Sequence, residues 1–82
     1  MHEISLVQGL FHQLSELLLQ HGASRVLQIV VEIGDRAGIV KESFEFAFDI
    51  LSKEYEYIDG AELVIVDGSN SDDLVLLRVE ME

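Results

Sequence analysis

The chain has 82 residues, enough for one modest hydrophobic core, and 49% of them are hydrophobic, with no proline. Sixteen acids against five bases give a net charge of −11, which argues against nucleic acid and anionic membranes as partners. Cysteine is absent, so a disulfide, a thiolate zinc site and a cysteine nucleophile are all excluded within these residues.

The first predicted element is a helix from Ile4 to His21. Val7, Leu10, Phe11, Leu14, Leu17 and Leu18 recur at three- and four-residue spacing, which makes one buried stripe. Ser5 followed by Gln8 resembles a capping box, with the helix starting there or a residue or two earlier. Gly22 is a stop signal, and His21 stands where a cation suits a helix C-terminus. Glu3, Gln8, His12 and Glu16 interrupt the apolar run and no basic leader precedes it, so neither a signal peptide nor a membrane span is expected, and the expected location is the cytoplasm.

Arg25 to Ile33 reads as a strand with Leu27, Ile29, Val31 and Ile33 on one face and Val26, Gln28, Val30 and Glu32 on the other. Gly34 to Gly38 is a loop. Val40 to Glu54 is a second helix, with a stripe of Val40, Phe44, Ala47, Phe48 and Leu51 that Phe46 and Ile50 are expected to widen. Tyr55 to Gly60 turns the chain into a second strand, Ala61 to Val66, and Leu74 to Met81 is a third. The run Asp67 to Asp73 between them has the composition of a hairpin loop. The order α-β-α-β-β predicts an α+β, two-layer domain: a three-stranded mixed sheet with two helices on one face. Its exposed edges suit a homodimer made through a sheet edge or by strand exchange.

Residues able to carry chemistry are few. No nucleophile elbow, phosphate loop or dinucleotide fingerprint occurs, and no enzymatic activity is expected. Asp67-Gly68-Ser69-Asn70-Ser71 looks like the first loop of an adhesion-type Mg²⁺ site, but the much larger domain that completes such a site does not fit here. The same stretch fails as an EF-hand, since Asp72 and Arg78 fall where Gly and Glu are needed. His12 and His21 are nine residues apart on one helix and point in different directions. The N-terminal Met1-His2-Glu3 is different. The Met1 amine, the His2 amide and the His2 imidazole place three nitrogens where five- and six-membered chelate rings close, a set that suits square-planar Ni(II) or Cu(II). Glu3 can accept a hydrogen bond from a ligand, offer an oxygen to the metal, or simply start the helix.

Together these stretches resemble the HypA/HybF family of nickel metallochaperones. The resemblance rests on Met1-His2-Glu3-Ile4-Ser5-Leu6-Val7-Gln8, Val30-Val31-Glu32-Ile33-Gly34, Gly38-Ile39-Val40, Phe44-Glu45-Phe46-Ala47-Phe48, Gly60-Ala61-Glu62-Leu63 and the closing Leu77-Arg78-Val79-Glu80-Met81-Glu82. It implies Ni(II) delivery to [NiFe]-hydrogenase, and in some organisms to urease, together with a HypB-type GTPase and the hydrogenase large-subunit precursor. It also implies a nickel site built on His2 and neighbouring main-chain nitrogens such as the Met1 amine, with Glu3 beside it and in the docking of the GTPase. The departure is the family's zinc-binding domain, with its two Cys-x-x-Cys pairs. Between about residues 67 and 73 only Gly68-Ser69-Asn70-Ser71 occupies its place, so residues 1–82 are expected to form a single nickel-binding domain without zinc. Gly-Ser-Asn-Ser has the character of an engineered joint, the alternative being a natural short form. A non-catalytic interaction or dimerisation domain without metal function is the competing reading of the whole.

Overall fold

The computed structural model describes residues 3–82 and runs α1 (Glu3–His21), β1 (Val26–Gly34), α2 (Lys41–Ser52), β2 (Glu62–Gly68) and β3 (Leu74–Met81). The α+β, two-layer prediction holds: both helices pack on one face of a three-stranded mixed sheet. α1 begins at Glu3, so Ser5 lies inside the first turn rather than at the cap. Its C-terminus closes as the sequence suggests. Gly22 takes φ 62°, the Ala23 N–H donates to the Leu18 carbonyl at 3.0 Å and the Gly22 N–H to the Leu19 carbonyl at 3.4 Å, the pair of bonds of a Schellman stop.

The strand order is β2-β1-β3, which corrects the hairpin expected between β2 and β3. β1 lies between them, parallel to β2 and antiparallel to β3. The physical reason is burial. β1 is the strand whose side chains at Val26, Ile29, Val31 and Ile33 are fully enclosed, so it takes the centre, where both of its edges are hydrogen-bonded. The face assignment within β1 is also corrected. Val26 is buried and Leu27 is exposed, because one extra β1 residue stands between the partners of Met81 and Glu80. A second irregularity, on β3 around Leu77, restores the match, so that Leu74, Leu76, Val79 and Met81 all turn toward the core.

The core between the layers joins Val7, Leu10, Phe11, Leu14 and Leu18 of α1 to Phe44, Ala47 and Phe48 of α2 and to the inner face of β1. Phe11 sits at its centre, edge-on to Phe48 and Tyr55. Two members of the expected α2 stripe do not join it: Phe46 is 67% exposed and Ile50 48%. At about 100° per residue, Phe46 stands roughly 150° around the helix from the stripe centred on Phe44, Ala47, Phe48 and Leu51. Val40, at the helix start, is exposed too. No helix among the described residues is long and apolar enough to cross a membrane.

The 68–73 connection is firmly tied to the loop after β1. The Gly34 N–H donates to the Asp73 carbonyl, the Asp35 N–H to that of Gly68 and the Arg36 N–H to that of Ser71, at 2.8–2.9 Å. The Arg36 guanidinium adds a bond to the Asn70 carbonyl at 2.8 Å and stands 3.6 Å from the Asp72 carboxylate. The backbones approach so closely that a Cβ on Gly34 would lie 2.2 Å from the Ser71 carbonyl oxygen. Gly34→Ala is therefore expected to cost about 1–3 kcal/mol through forced backbone displacement, read as a lower urea midpoint at unchanged slope.

Candidate metal centre

Met1 and His2, two of the three expected metal-site residues, lie outside the described residues, so the site is approached from what holds Glu3. Glu3 opens α1, half-buried, and its carboxylate Oε2 accepts a hydrogen bond from the Val40 N–H at 3.4 Å. Val40 is the N-cap residue of α2 and has no side-chain acceptor to cap the helix. A carboxylate brought in from α1 accepts the N–H of the N-cap residue itself, and a negative charge is favoured there by the helix dipole. Glu3 thus joins the start of one helix to the start of the other. The expected helix-start role is present, directed at the neighbouring helix.

The next residue extends this junction. The Lys41 ammonium is hydrogen-bonded to the Asp67 carboxylate near the end of β2. That bond and the Asp67 charge hold the Lys41 pKa above the usual lysine value, so Lys41 is a cation throughout the physiological range. The start of α1, the start of α2 and the end of β2 therefore meet at two consecutive residues, the N-cap Val40 and Lys41. Asp67, the first residue of the adhesion-like loop motif, faces a cation of its own chain.

The other two histidines stand apart, as their spacing predicts. His12 is exposed, with Nε2 3.5 Å from the Glu16 carboxylate one turn on, and His21 is exposed at the end of α1. Among the described residues, no three His, Asp or Glu side chains converge to hold a metal.

The capping role of Glu3 makes a prediction. Glu3→Ala leaves the Val40 N–H without its acceptor and is expected to lower stability by about 0.5–1 kcal/mol, while Glu3→Gln, which keeps a carbonyl oxygen at that place, recovers most of the loss. Urea denaturation of the three proteins checks this; equal loss in both variants would mean that charge alone matters.

Comparison with known proteins places the chain. The family model described as "Hydrogenase/urease nickel incorporation, metallochaperone, hypA" matches residues 1–70. The hydrogenase maturation factor HypA of Caldanaerobacter subterraneus subsp. tengcongensis is 44% identical over 64 residues, which are 78% of this chain and 55% of that protein. HypA of Psychromonas ingrahamii is 37% identical over 67 residues, 82% of this chain and 58% of its own length. The chain thus matches little more than half the length of these curated relatives. In fold, it is similar to the solution structure of the nickel metallochaperone HypA from Helicobacter pylori, with a TM-score of 0.87 at 24% identity over 99% of this chain and 97% of that one. The sequence match to the family ends before β3, whereas the likeness in fold continues through it. With its family model matched from the first residue to the end of β2, the chain belongs to the HypA family of hydrogenase/urease nickel-incorporation metallochaperones.

Proposed function

We propose that this chain is the nickel-handling domain of a HypA-type metallochaperone, which carries Ni(II) on Met1 and His2 for [NiFe]-hydrogenase maturation. The observation that carries the reading is the family match beginning at Met1, combined with a Glu3 carboxylate that anchors the start of α1 to α2 immediately after the chelating residues. Nickel is cargo here. The Met1 amine, the His2 amide and the His2 imidazole form three sides of a square plane, and the fourth is filled by water, by Glu3 or by the receiving protein. An open fourth side suits transfer, because an incoming ligand can enter before any chelate ring opens. A HypB-type GTPase and the hydrogenase large-subunit precursor are the partners this role requires, with urease a further recipient in some organisms. Residues 68–73 stand where the family carries its zinc-binding domain, so this domain handles nickel without zinc.

The acid–base chemistry gives the test. The amine must lose a proton to bind, from a reference pKa of about 7.7–8.0, and the imidazole must be neutral, against a reference near 6.5. If the amide is also deprotonated on binding, nickel releases about two protons between these two pKa values, and affinity falls roughly 100-fold per pH unit as the pH is lowered. If the amide stays protonated, the fall is about tenfold per unit. Nickel titrations of the untagged protein from pH 6 to 8 should show the steeper slope, with the absorption band of square-planar nickel. Affinity independent of pH would overturn the proposal.

A further inference from the structure

The most exposed apolar side chains of α2 stand beside the nickel-binding end. A groove of about 450 Å³ runs between the first turn of α1 and α2, with Ile4, Phe46, Ala47, Ile50 and Leu51 among its apolar walls. Ile4 is 56% exposed and Phe46 67%, although each has a helix to pack on. The rim is acidic. Glu3 and Glu42 stand on the groove itself, and Glu45, Asp49 and Asp59 line the adjoining depression on the far side of Phe46. The cation in that depression, Lys53, is already paired with Asp49 at 3.7 Å.

We infer that this groove is a docking site for a basic amphipathic helix of a protein partner, one that inserts an apolar side chain beside Phe46 and sets Lys or Arg against the acids around it. Charge selects this occupant. A second copy of this chain, with 16 acids and 5 bases, would bring more carboxylates against the rim, and an anionic membrane would be repelled by it. A helix laid in a groove buries an apolar stripe and leaves its flanks to meet the rim, which matches an apolar floor between two acidic borders. The inference rests on the nickel-transfer reading only for its purpose: the groove begins at Glu3, so a partner seated there lies next to the residues that would hold the metal.

The test uses a designed peptide about five helical turns long (~18 residues), with leucines on one face and lysines on the other. Its binding to the full 82-residue chain is followed by amide NMR and by calorimetry at two salt concentrations. The expected result is a set of shifts centred on Ile4, Phe46 and Ile50, affinity lowered roughly 10- to 30-fold by Phe46→Ser, and weaker binding at high salt and in a Glu42→Gln, Glu45→Gln double variant. A peptide with its leucines replaced by serine should bind no better to the wild type than to Phe46→Ser. Phe46 is exposed enough for the variant to fold, which its melting curve verifies, and its nickel titration should match the wild type. Failure of the nickel titration in all forms would overturn the functional reading and leave the groove standing. Unchanged peptide affinity in Phe46→Ser, shifts centred elsewhere, or a dimer of the free protein that Phe46→Ser dissolves would overturn the inference.

Discussion

On the proposed reading, His2→Ala should lower nickel affinity by well over the roughly 10- to 100-fold that loss of a supporting residue around a metal costs, because it would remove a chelating nitrogen outright. Its melting temperature without metal stays at the wild-type value, since the core of the described residues begins at Val7. A tag or an acetyl group on Met1 should have a comparable effect by removing the amine. The two changes are separable by spectrum. Blocking the amine leaves an imidazole that binds nickel weakly in octahedral form, and losing the imidazole leaves only the short amine–amide chelate. A second consequence follows from how local the donors are. All three proposed donor nitrogens belong to the first two residues, so the unfolded chain would offer the same set as the folded one. A ligand that binds both states equally does not stabilise either. Nickel should therefore raise the melting temperature very little, and calorimetric melts with and without one equivalent of nickel measure this. A large rise would mean that a group held only by the fold, Glu3 first among them, completes the square. Unaltered nickel affinity in His2→Ala would return the chain to the competing description, an interaction domain that happens to begin with Met-His-Glu.

Phe11→Ala should be among the most damaging single changes to the fold. Phe11 is 2% exposed, and its ring lies 5.5 Å from that of Phe48 and 5.2 Å from that of Tyr55, at 79° and 76° to them. Tyr55 in turn meets Tyr57 edge-on at 5.9 Å. The substitution empties the space where α1, α2 and the turn after α2 converge. Phenylalanine-to-alanine changes of this kind cost about 3–5 kcal/mol, of which each lost edge-to-face pair supplies roughly 0.5–1.5. Total stability of a small domain is about 5–15 kcal/mol, so much of it would go. At roughly 4–8 °C per kcal/mol, the melting temperature should fall by at least about 12 °C. A drop of only a few degrees would mean that the neighbours close over the gap. Leu19→Ala is the control: that leucine is 83% exposed and its loss should be nearly silent.

Most of the element boundaries were legible to within two residues, because the determinants are local. The spacing of Val7, Leu10, Phe11, Leu14 and Leu18 defines α1, and Gly22 ends it. What was not legible depends on pairing between distant residues. Asp67 to Asp73 has hairpin composition, yet which strand lies beside β2 is decided by the burial of β1. The two irregularities near Leu27 and Leu77 carry no glycine to announce them, and each appears only once the strands are aligned. The exposure of Phe46 follows from the helical period, which sets it well away from the buried stripe rather than at its margin. The resemblance to the family rested on short segments spread from Met1 to Glu82 and led to the right family. The node of Glu3, Val40, Lys41 and Asp67 was not legible, since these residues come from three distant stretches of the chain and none is unusual alone.

The β2-β1-β3 order has a mechanical consequence. β2 ends at Gly68 beside Gly34, and β3 begins at Leu74 beside Ile33, so both strands meet the 68–73 connection at the same end of the sheet, one on each flank of β1. Two strand spacings separate them, about 9–10 Å. Anything spliced in at that point would hang from two parallel tethers, much as a swing hangs from two ropes. The two attachment points thus lie on either side of Gly34, so an insertion there would leave the pairing of all three strands intact.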